Sequence, residues 1–183
     1  MLRAVTTTLT ALTAAALLAG CSQLGTTSEV ADAPLDQPGR VATPVITMPA
    51  DAAPATVNYV HDGDTLFLTT PADANLKVRL IGIDTPEIGD NLECYGDEAT
   101  ALLRELLPEG AAVFTTQDAE PLDQYGRTLL YVFAADGTSI NLEMVARGAA
   151  EAVSIGENDA YFTELSTAEG VAKESAVGIW GVC

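Results

Sequence analysis

Short runs of β-forming residues, separated by turn sequences, dominate the chain after residue 55. They cover residues 56–60, 65–69, 76–83, 112–116 and 129–134. The first two runs flank an Asp-Gly turn, so we expect them to pair as a hairpin. A second Asp-Gly pair, Asp136-Gly137, follows the fifth run. The pattern therefore predicts five short strands.

Three other segments repeat apolar residues at the spacing of a helix. The first is expected to be capped by Asp97 and stopped by Pro108. Its apolar stripe consists of Ala99, Leu102, Leu103, Leu106 and Leu107. The second is expected to begin with Asn141 as its cap and end at Gly148, and the third to run over residues 159–176. The order β-β-β-α-β-β-α-α around one small core favours a partly open five-stranded barrel with attached helices.

The first third of the chain has a different character. Arg3 is the only charged residue before Glu29, and residues 4–18 form an apolar run. A membrane-spanning helix needs about 20 apolar residues, so this run is too short to be one. Its length is typical of a secretory signal.

This apolar run ends in Leu18-Ala19-Gly20-Cys21, which resembles the bacterial lipobox. The resemblance implies that Cys21 is lipidated and becomes the mature N-terminus; the alternative is an ordinary cleaved signal. We therefore predict a signal peptide over residues 1–20, a disordered linker over 21–55 and a folded domain over 56–183. The domain is expected outside the cytoplasm, either anchored to the membrane by lipid or secreted.

The chain has three cysteines, and lipidation of Cys21 would leave Cys94 and Cys183 as a pair. In an oxidising compartment this pair is expected to form a disulfide; the alternative is two free thiols.

Acidic residues strongly outnumber basic ones. The chain has 26 Asp and Glu against 8 Lys and Arg, which gives a net charge of −18. This charge repels polyanions at long range, and the basic stripe typical of duplex-binding proteins is not visible. The single histidine, His61, argues against a Ser-His-Asp triad and against a two-histidine zinc site.

Two acidic motifs are candidates for chemistry. Asp64 follows an Asp-Gly pair, which by itself is most often only a hairpin turn. Asp84 and Glu87, however, directly follow an apolar strand, and Pro86 between them marks the exit of the chain from the sheet. Carboxylates at a strand end remain available to a hard cation.

Two arginines accompany these acids. Arg79 lies five residues before Asp84, so the two point to opposite faces of a regular strand unless Gly82 bends it. Arg127 follows Tyr125 and Gly126 at a turn. Taken singly, each arginine has a plainer interpretation, as an exposed residue of a sheet edge or of a turn.

Together these motifs resemble those of the thermonuclease (staphylococcal nuclease-like) family over residues 56–181. Asn141, Gly148 and the Gly178-Ile179-Trp180 ending also fit the resemblance. It implies an OB-type five-stranded barrel with three helices, and hydrolysis of DNA and RNA with Ca²⁺.

The resemblance also implies a role for each motif residue. Asp64 and Asp84 would bind Ca²⁺ through their carboxylates and Thr85 through its backbone carbonyl. Glu87 would orient or deprotonate the attacking water. Arg79 and Arg127 would contact the scissile phosphate, and Tyr125 would lie near the bound nucleotide.

The substrate-binding surroundings depart from the family pattern. Residues 152–156 contain none of the tyrosines that the resemblance would place against the nucleotide, although Tyr161 is nearby. Gln124 stands where a basic residue would have helped to bind phosphate. We therefore expect an intact catalytic centre with a weakened or differently built grip on the substrate.

The leading hypothesis is an exported, monomeric, calcium-dependent phosphodiesterase that acts on nucleic acid and needs no protein partner. The main alternative is a membrane-tethered OB-fold module that binds nucleic acid or another molecule without cutting it. A structural envelope lipoprotein is a third alternative, but it leaves the clustered acids and arginines without a role.

Overall fold

The computed structural model describes residues 44–183, so the predictions for the signal peptide, for Cys21 and for the linker up to residue 43 lie outside the described residues. The strands are β1 Ala53–Val60, β2 Thr65–Thr69, β3 Leu76–Leu80, β4 Ile83–Asp84, β5 Ala112–Thr116, β6 Thr128–Ala134 and β7 Glu151–Ala152. The helices are α1 Gly96–Leu106, α2 Ile140–Ala146, α3 Phe162–Glu174 and α4 Ile179–Val182, with a 3₁₀ turn at Gly89–Asn91. Within this part of the chain, no helix has both the length and the apolar character needed to cross a bilayer.

Five strands close into a barrel in the order β1-β2-β3-β6-β5, which confirms the predicted five-stranded OB-type architecture. The β3–β6 pair is parallel and the other pairs are antiparallel. The barrel is closed rather than partly open because β1 is longer than predicted. Its first half, Ala53 to Thr56, pairs with β5, while its second half pairs with β2.

The inner face of the barrel is apolar, and the candidate site residues of β2 and β3 lie on its outer face. Alternate residues of β2 and β3 enter the core, where Leu66, Leu68, Val78 and Leu80 have no exposed surface. Because neighbouring residues of a strand point to opposite faces, Thr65 and Arg79 project outward. The alternation of the two strands therefore places polar side chains outside the barrel without burying charge in its centre.

Both predicted helix caps are wrong. Helix α1 begins after Tyr95, which adopts a left-handed conformation with φ 73°, and Asp97 lies in its first turn. Helix α2 is capped by Ser139, whose Oγ accepts a hydrogen bond from the backbone N–H of Leu142 at 3.4 Å. The predicted third helix is shorter, and a separate helix, α4, follows it.

Asn141 is not a cap because its side chain turns into the core, where it has no exposed surface. Its Oδ1 accepts a hydrogen bond from the backbone N–H of Val132 at 3.0 Å, and its Nδ2 donates to the carbonyl of Ile81 at 2.8 Å. One side chain thus joins β6 to the segment between β3 and β4. It satisfies two buried backbone groups that the barrel strands leave unpaired.

We predict that Asn141→Ala lowers the free energy of unfolding by about 2–4 kcal/mol, because it leaves a buried N–H and a buried carbonyl without partners. Urea unfolding of the variant and the parent measures this. Asn91→Ala, at an exposed position, is the matched control and should stay within about 0.5 kcal/mol of the parent. A loss below about 0.5 kcal/mol for Asn141→Ala would contradict the bridging role.

The packing of the C-terminal segment depends on Gly148. The carbonyl of Gly148 accepts a hydrogen bond from the backbone N–H of Ile179 at 2.8 Å. Gly148 has φ 66°, and a Cβ at this position would overlap the carbonyl of Val177. The glycine therefore permits the close approach that fixes the start of α4.

The predicted disulfide is confirmed: Cys94 pairs with Cys183, with a Cα–Cα distance of 6.0 Å. The bridge joins the segment before α1 to the last residue of the chain. Pro86 and Glu93 lie beside it, together with Trp180.

Candidate active site

Arg79 is the centre of the site. It lies on β3, where its side chain is only 8% exposed. Its Nη1 is 2.7 Å from Oδ2 of Asp64, and its Nη2 is 2.7 Å from Oδ1 of Asp84. The guanidinium thus brings together two acids that are 20 positions apart in the sequence.

The contact between Arg79 and Asp84 depends on the bend that the sequence predicted. Gly82 has φ 78°, in the left-handed region that favours glycine, and it separates β3 from β4. The bend cancels the odd spacing of five residues, which would otherwise direct the two side chains to opposite faces. The predicted role of Gly82 is therefore confirmed.

Asp64 is held by a tight local network. Asp62 Oδ1 accepts hydrogen bonds from the backbone N–H groups of Asp64 and Thr65 at 3.1 and 2.7 Å, which fixes the turn. The Asp64 carboxylate accepts from the Thr65 hydroxyl at 3.1 Å. It also accepts from the hydroxyl and the N–H of Thr85 at 3.2 and 3.3 Å.

Burial dominates the electrostatics of Asp64. Loss of solvation raises the pKa of its carboxyl to about 6, although the positive charge of Arg79 acts in the opposite direction. Repulsion from Asp62 adds to the increase. An additional positive charge close to Asp64 would stabilise the ionised form of its carboxyl group.

Arg127 reaches the same centre from the turn before β6. Its Nε is 2.6 Å from Asp123 Oδ2, and its Nη1 donates to the Thr65 hydroxyl at 3.3 Å. Thr65 in turn contacts Asp64, so a continuous chain of polar contacts connects the two arginines. Tyr125 is 76% exposed, and its ring centroid is 5.6 Å from Cζ of Arg127.

Asp123 is a site residue that the sequence analysis missed. Its Oδ1 accepts hydrogen bonds from the backbone N–H groups of Tyr125 and Arg127, both at 2.9 Å. Burial acts to raise the pKa of its carboxyl, but the hydrogen bonds from Arg127 and Tyr125 outweigh it and hold the pKa below its usual value. An Asp that begins a turn closed by Gly126 was the available signal.

We predict that Asp123→Asn is less stable than the parent by about 1 kcal/mol at pH 7, because it loses an ionised acceptor. A lowered folded-state pKa stabilises the fold above the unfolded-state pKa, near 4. The difference in stability between Asp123→Asn and the parent should therefore shrink as the pH falls below about 4 and through the folded-state pKa of Asp123. Urea midpoints between about pH 7 and pH 3 measure it. Asp90→Asn, at an exposed position, is the control; a pH-independent difference would contradict the prediction.

Glu87 is exposed, and its carboxylate makes no hydrogen bond or ion pair with any other residue in 44–183. Its backbone is fixed instead. The Glu87 N–H donates to Glu93 Oε2 at 3.0 Å, and the Glu93 N–H donates to the Glu87 carbonyl at 2.9 Å. Glu93, which the sequence analysis also missed, precedes the disulfide-bonded Cys94 and connects the Glu87 segment to it.

The structure thus joins Asp64, Arg79, Asp84, Thr85 and Arg127 in one network, with Tyr125 at its edge beside Arg127. Glu87 lies three residues from Asp84 on the same exit segment but outside the network of contacts. The catalytic and substrate-binding roles of these residues remain predictions.

The donor set of the site fits a hard divalent cation. Asp64 and Asp84 both lie within 2.7 Å of one guanidinium and offer only oxygen ligands, which Ca²⁺ prefers. Within residues 44–183, no three His, Cys, Asp or Glu side chains form a metal-binding cluster. Two carboxylates alone would not fill the coordination shell of Ca²⁺, so a backbone carbonyl and water would be needed as further ligands. The predicted ligand role of the Thr85 carbonyl fits this need.

Comparison with known proteins identifies a family to which the chain is similar. The family model described as staphylococcal nuclease homologue matches residues 77–182. The chain is 34% identical over 127 residues to the thermonuclease of Staphylococcus intermedius, which covers 68% of the chain and 74% of that protein.

Two endonucleases of Bacillus subtilis are also similar. Endonuclease YhcR is 31% identical over 134 residues, which covers 68% of the chain and 11% of that protein. Endonuclease YncB is 30% identical over 129 residues, which covers 68% of the chain and 60% of that protein. The chain therefore spans less than two thirds of the length of either Bacillus protein.

Proposed function

Because the chain belongs to the family of staphylococcal nuclease homologues, we propose that it is a nuclease that hydrolyses phosphodiester bonds in DNA, RNA or both. The observation that supports this most is the network in which Arg79 bridges Asp64 and Asp84 while Arg127 reaches the same centre through Thr65. Two arginines and two carboxylates thus converge on the outer face of the barrel.

In the proposed reaction, a water oxygen forms a bond to phosphorus and the bond from phosphorus to the 5′-oxygen breaks. Glu87 accepts a proton from the water, which suits an exposed carboxylate without an internal partner, and the leaving 5′-oxygen takes a proton from solvent. The products would be a 3′-phosphate and a 5′-hydroxyl.

The two arginines would bind the phosphate and stabilise the charge that develops on its oxygens. Asp123 forms an ion pair with Nε of Arg127. Asp64 and Asp84 each form an ion pair with one Nη atom of Arg79. Each guanidinium is therefore held in place before the substrate arrives, which lowers the entropy cost of binding.

Asp64, Asp84 and the carbonyl of Thr85 are the residues that would hold Ca²⁺. When bound, the cation would supply a Lewis acid that neutralises phosphate oxygens. The proposal rests on the oxygen-only donor set and on the burial of Asp64.

We further propose that residues 1–20 direct export and that Cys21 anchors the protein, as a monomer, to the outer side of the membrane through lipid. The apolar run and the lipobox-like sequence support this. The Cys94–Cys183 disulfide is consistent with an oxidising compartment.

The test is cleavage of single-stranded DNA and RNA by the full chain, purified in detergent, with Ca²⁺ and with a chelator. We expect cleavage only with the cation and products that carry a 5′-hydroxyl. Absence of cleavage with any divalent cation at any salt concentration would overturn the proposed function.

The proposed enzyme should tolerate salt better than a basic nuclease. Arg147 pairs with Glu143 and Lys173 pairs with Glu169, both at 2.9 Å, so few cations remain to contact phosphates. With about three contacts to a single strand, raising salt from roughly 50 to 200 mM should weaken substrate binding about 20-fold. Measuring KM across this range checks the prediction. The control, Lys173→Ala, should leave the dependence of KM on salt concentration unchanged. A weakening of substrate binding by several powers of ten over this range would contradict the prediction.

A further inference from the structure

The outer face of β1, β2 and β3 carries a pair of stacked aromatic rings beside the candidate site. The ring centroids of Tyr59 and Phe67 are 4.6 Å apart, with an angle of 14° between the planes. The Lys77 ammonium is 6.0 Å from the centroid of Phe67. Tyr59 is 39% exposed, Phe67 is half-buried and Lys77 is exposed.

A β-bulge explains why Tyr59 faces outward. Val57 enters the core, so a regular strand would also direct Tyr59 inward. The register of β1 against β2 shifts between Val57 and Tyr59, which turns the tyrosine to the outer face opposite Phe67. A large, partly exposed aromatic residue is therefore placed by a local irregularity of the strand.

The aromatic pair is continuous with the candidate site. In the β2–β3 ladder, Phe67 lies opposite Lys77, and the pair two residues further along is Thr65 opposite Arg79. Two residues along a strand span about 7 Å, and residues two apart point to the same face. Tyr59 and Phe67 thus lie on the same surface as Arg79, within the reach of one or two nucleotides.

This surface carries a lysine that forms no ion pair in the described part of the chain. Lys77 has no acidic group within 4.0 Å among residues 44–183, whereas Arg147 and Lys173 are both paired. Lys77 is therefore available to contact a phosphate of the substrate next to Arg79 and Arg127.

We propose that Tyr59 and Phe67, with Lys77, form a subsite for a nucleotide that flanks the scissile phosphate of a single-stranded substrate. The base would stack on the face of Tyr59 turned away from Phe67, and Lys77 would contact the adjoining backbone. Phe67 packs against the other face of the Tyr59 ring and holds it in place, so Tyr59 loses little conformational freedom when the base binds. The subsite supplies the stacking surface that residues 152–156, without tyrosine, do not.

This inference rests on the proposed function, because it assigns the substrate of the same site. Its test is designed so that binding and cleavage are read separately. The probe is a single-stranded oligonucleotide with 2-aminopurine at one position, because the fluorescence of this base falls when it stacks. Binding is measured in the full chain carrying Glu87→Gln, so that the probe is not cut.

We expect the fluorescence to fall for one position of 2-aminopurine and to recover with Tyr59→Leu or Phe67→Leu. Leucine retains the apolar packing of the strands while it removes the ring. Affinity for the oligonucleotide should fall by about 5- to 140-fold in these variants. In the chain with native Glu87, KM for the oligonucleotide should rise by the same factor while kcat stays within about twofold.

Two controls separate a local effect from a structural one. KM for the same oligonucleotide made abasic at the stacked position, which has no base to place on Tyr59, should be unchanged in the leucine variants. Phe162→Leu, which alters an equally exposed ring on α3, should leave both substrates unaffected.

The outcomes distinguish the two proposals. If the parent cleaves but the leucine variants bind and cleave like it, the subsite is overturned and the nuclease function stands. If the parent does not cleave but the leucine variants weaken oligonucleotide binding, the subsite stands and the proposed function fails. If KM rises equally for the abasic oligonucleotide, the aromatic pair acts through the fold and the subsite is overturned.

Discussion

Replacing Glu87 by glutamine is expected to lower kcat/KM for oligonucleotide cleavage by about 10²- to 10⁴-fold, the usual contribution of a positioned general base. Glutamine has nearly the same shape but cannot accept a proton at neutral pH. The effect should fall on kcat, because the carboxylate contributes to the chemical step rather than to substrate binding.

The structure indicates that this loss would be specific to the chemistry. The Glu87 carboxylate is exposed and makes no contact with another residue in 44–183, while the backbone N–H and carbonyl that hold the segment are retained in the variant. The urea midpoint should therefore remain that of the parent. The matched control is Glu98→Gln, an exposed position in the first turn of α1, which should retain parental kcat.

Equal kcat for Glu87→Gln and the parent would remove Glu87 from the reaction. If neither protein cut the oligonucleotide but both bound it, the result would favour the non-catalytic OB-fold module. Steady-state kinetics and an equilibrium binding titration on the same preparations decide between these outcomes.

The second large effect is expected from the disulfide. Replacing both Cys94 and Cys183 by serine should lower the free energy of unfolding by about 4–5 kcal/mol in the chain-entropy model, since the bridge joins residues 89 positions apart. This is a large part of the roughly 5–15 kcal/mol that stabilises a typical domain. The double variant should therefore unfold at a much lower urea concentration.

The measurement compares urea unfolding of the parent with and without a reductant, and of the double variant under both conditions. Reduced parent and double variant should coincide, and the double variant should not respond to the reductant. Both cysteines are replaced together so that no single thiol is left to form a disulfide between two molecules. A change below about 1 kcal/mol would show that the unfolded chain gains little freedom when the bridge opens.

The architecture was predictable because the strands and their turns follow local rules. The hairpin at Asp62-Gly63 and the bend at Gly82 both depend on residue types that favour tight turns. Spacing alone directs Arg79 and Asp84 to opposite faces, and Gly82 was the signal that a bend could bring them together.

What the sequence did not disclose depends on tertiary structure. Asn141 has the chemistry of a cap, but two unpaired barrel groups compete for its side chain, and Ser139 caps α2 instead. The first half of β1 contains Ala and Pro rather than β formers, and it becomes a strand because β5 is available to pair with it. Asp123 and Glu93 position other residues, so their importance appears only when the hydrogen bonds are known.

The disulfide also gives the domain a particular topology. It closes residues 94–183 into a covalent ring that contains β5, β6 and Arg127, whereas Asp64, Arg79 and Glu87 belong to an arm outside that ring. The barrel closes only when two strands of the arm join two of the ring, β1 to β5 and β3 to β6. The hydrogen bond from Arg127 to Thr65 crosses this seam. A chain that keeps the disulfide ring but releases the arm would separate Arg79 from Arg127. Loss of activity should therefore accompany separation of the arm from the ring.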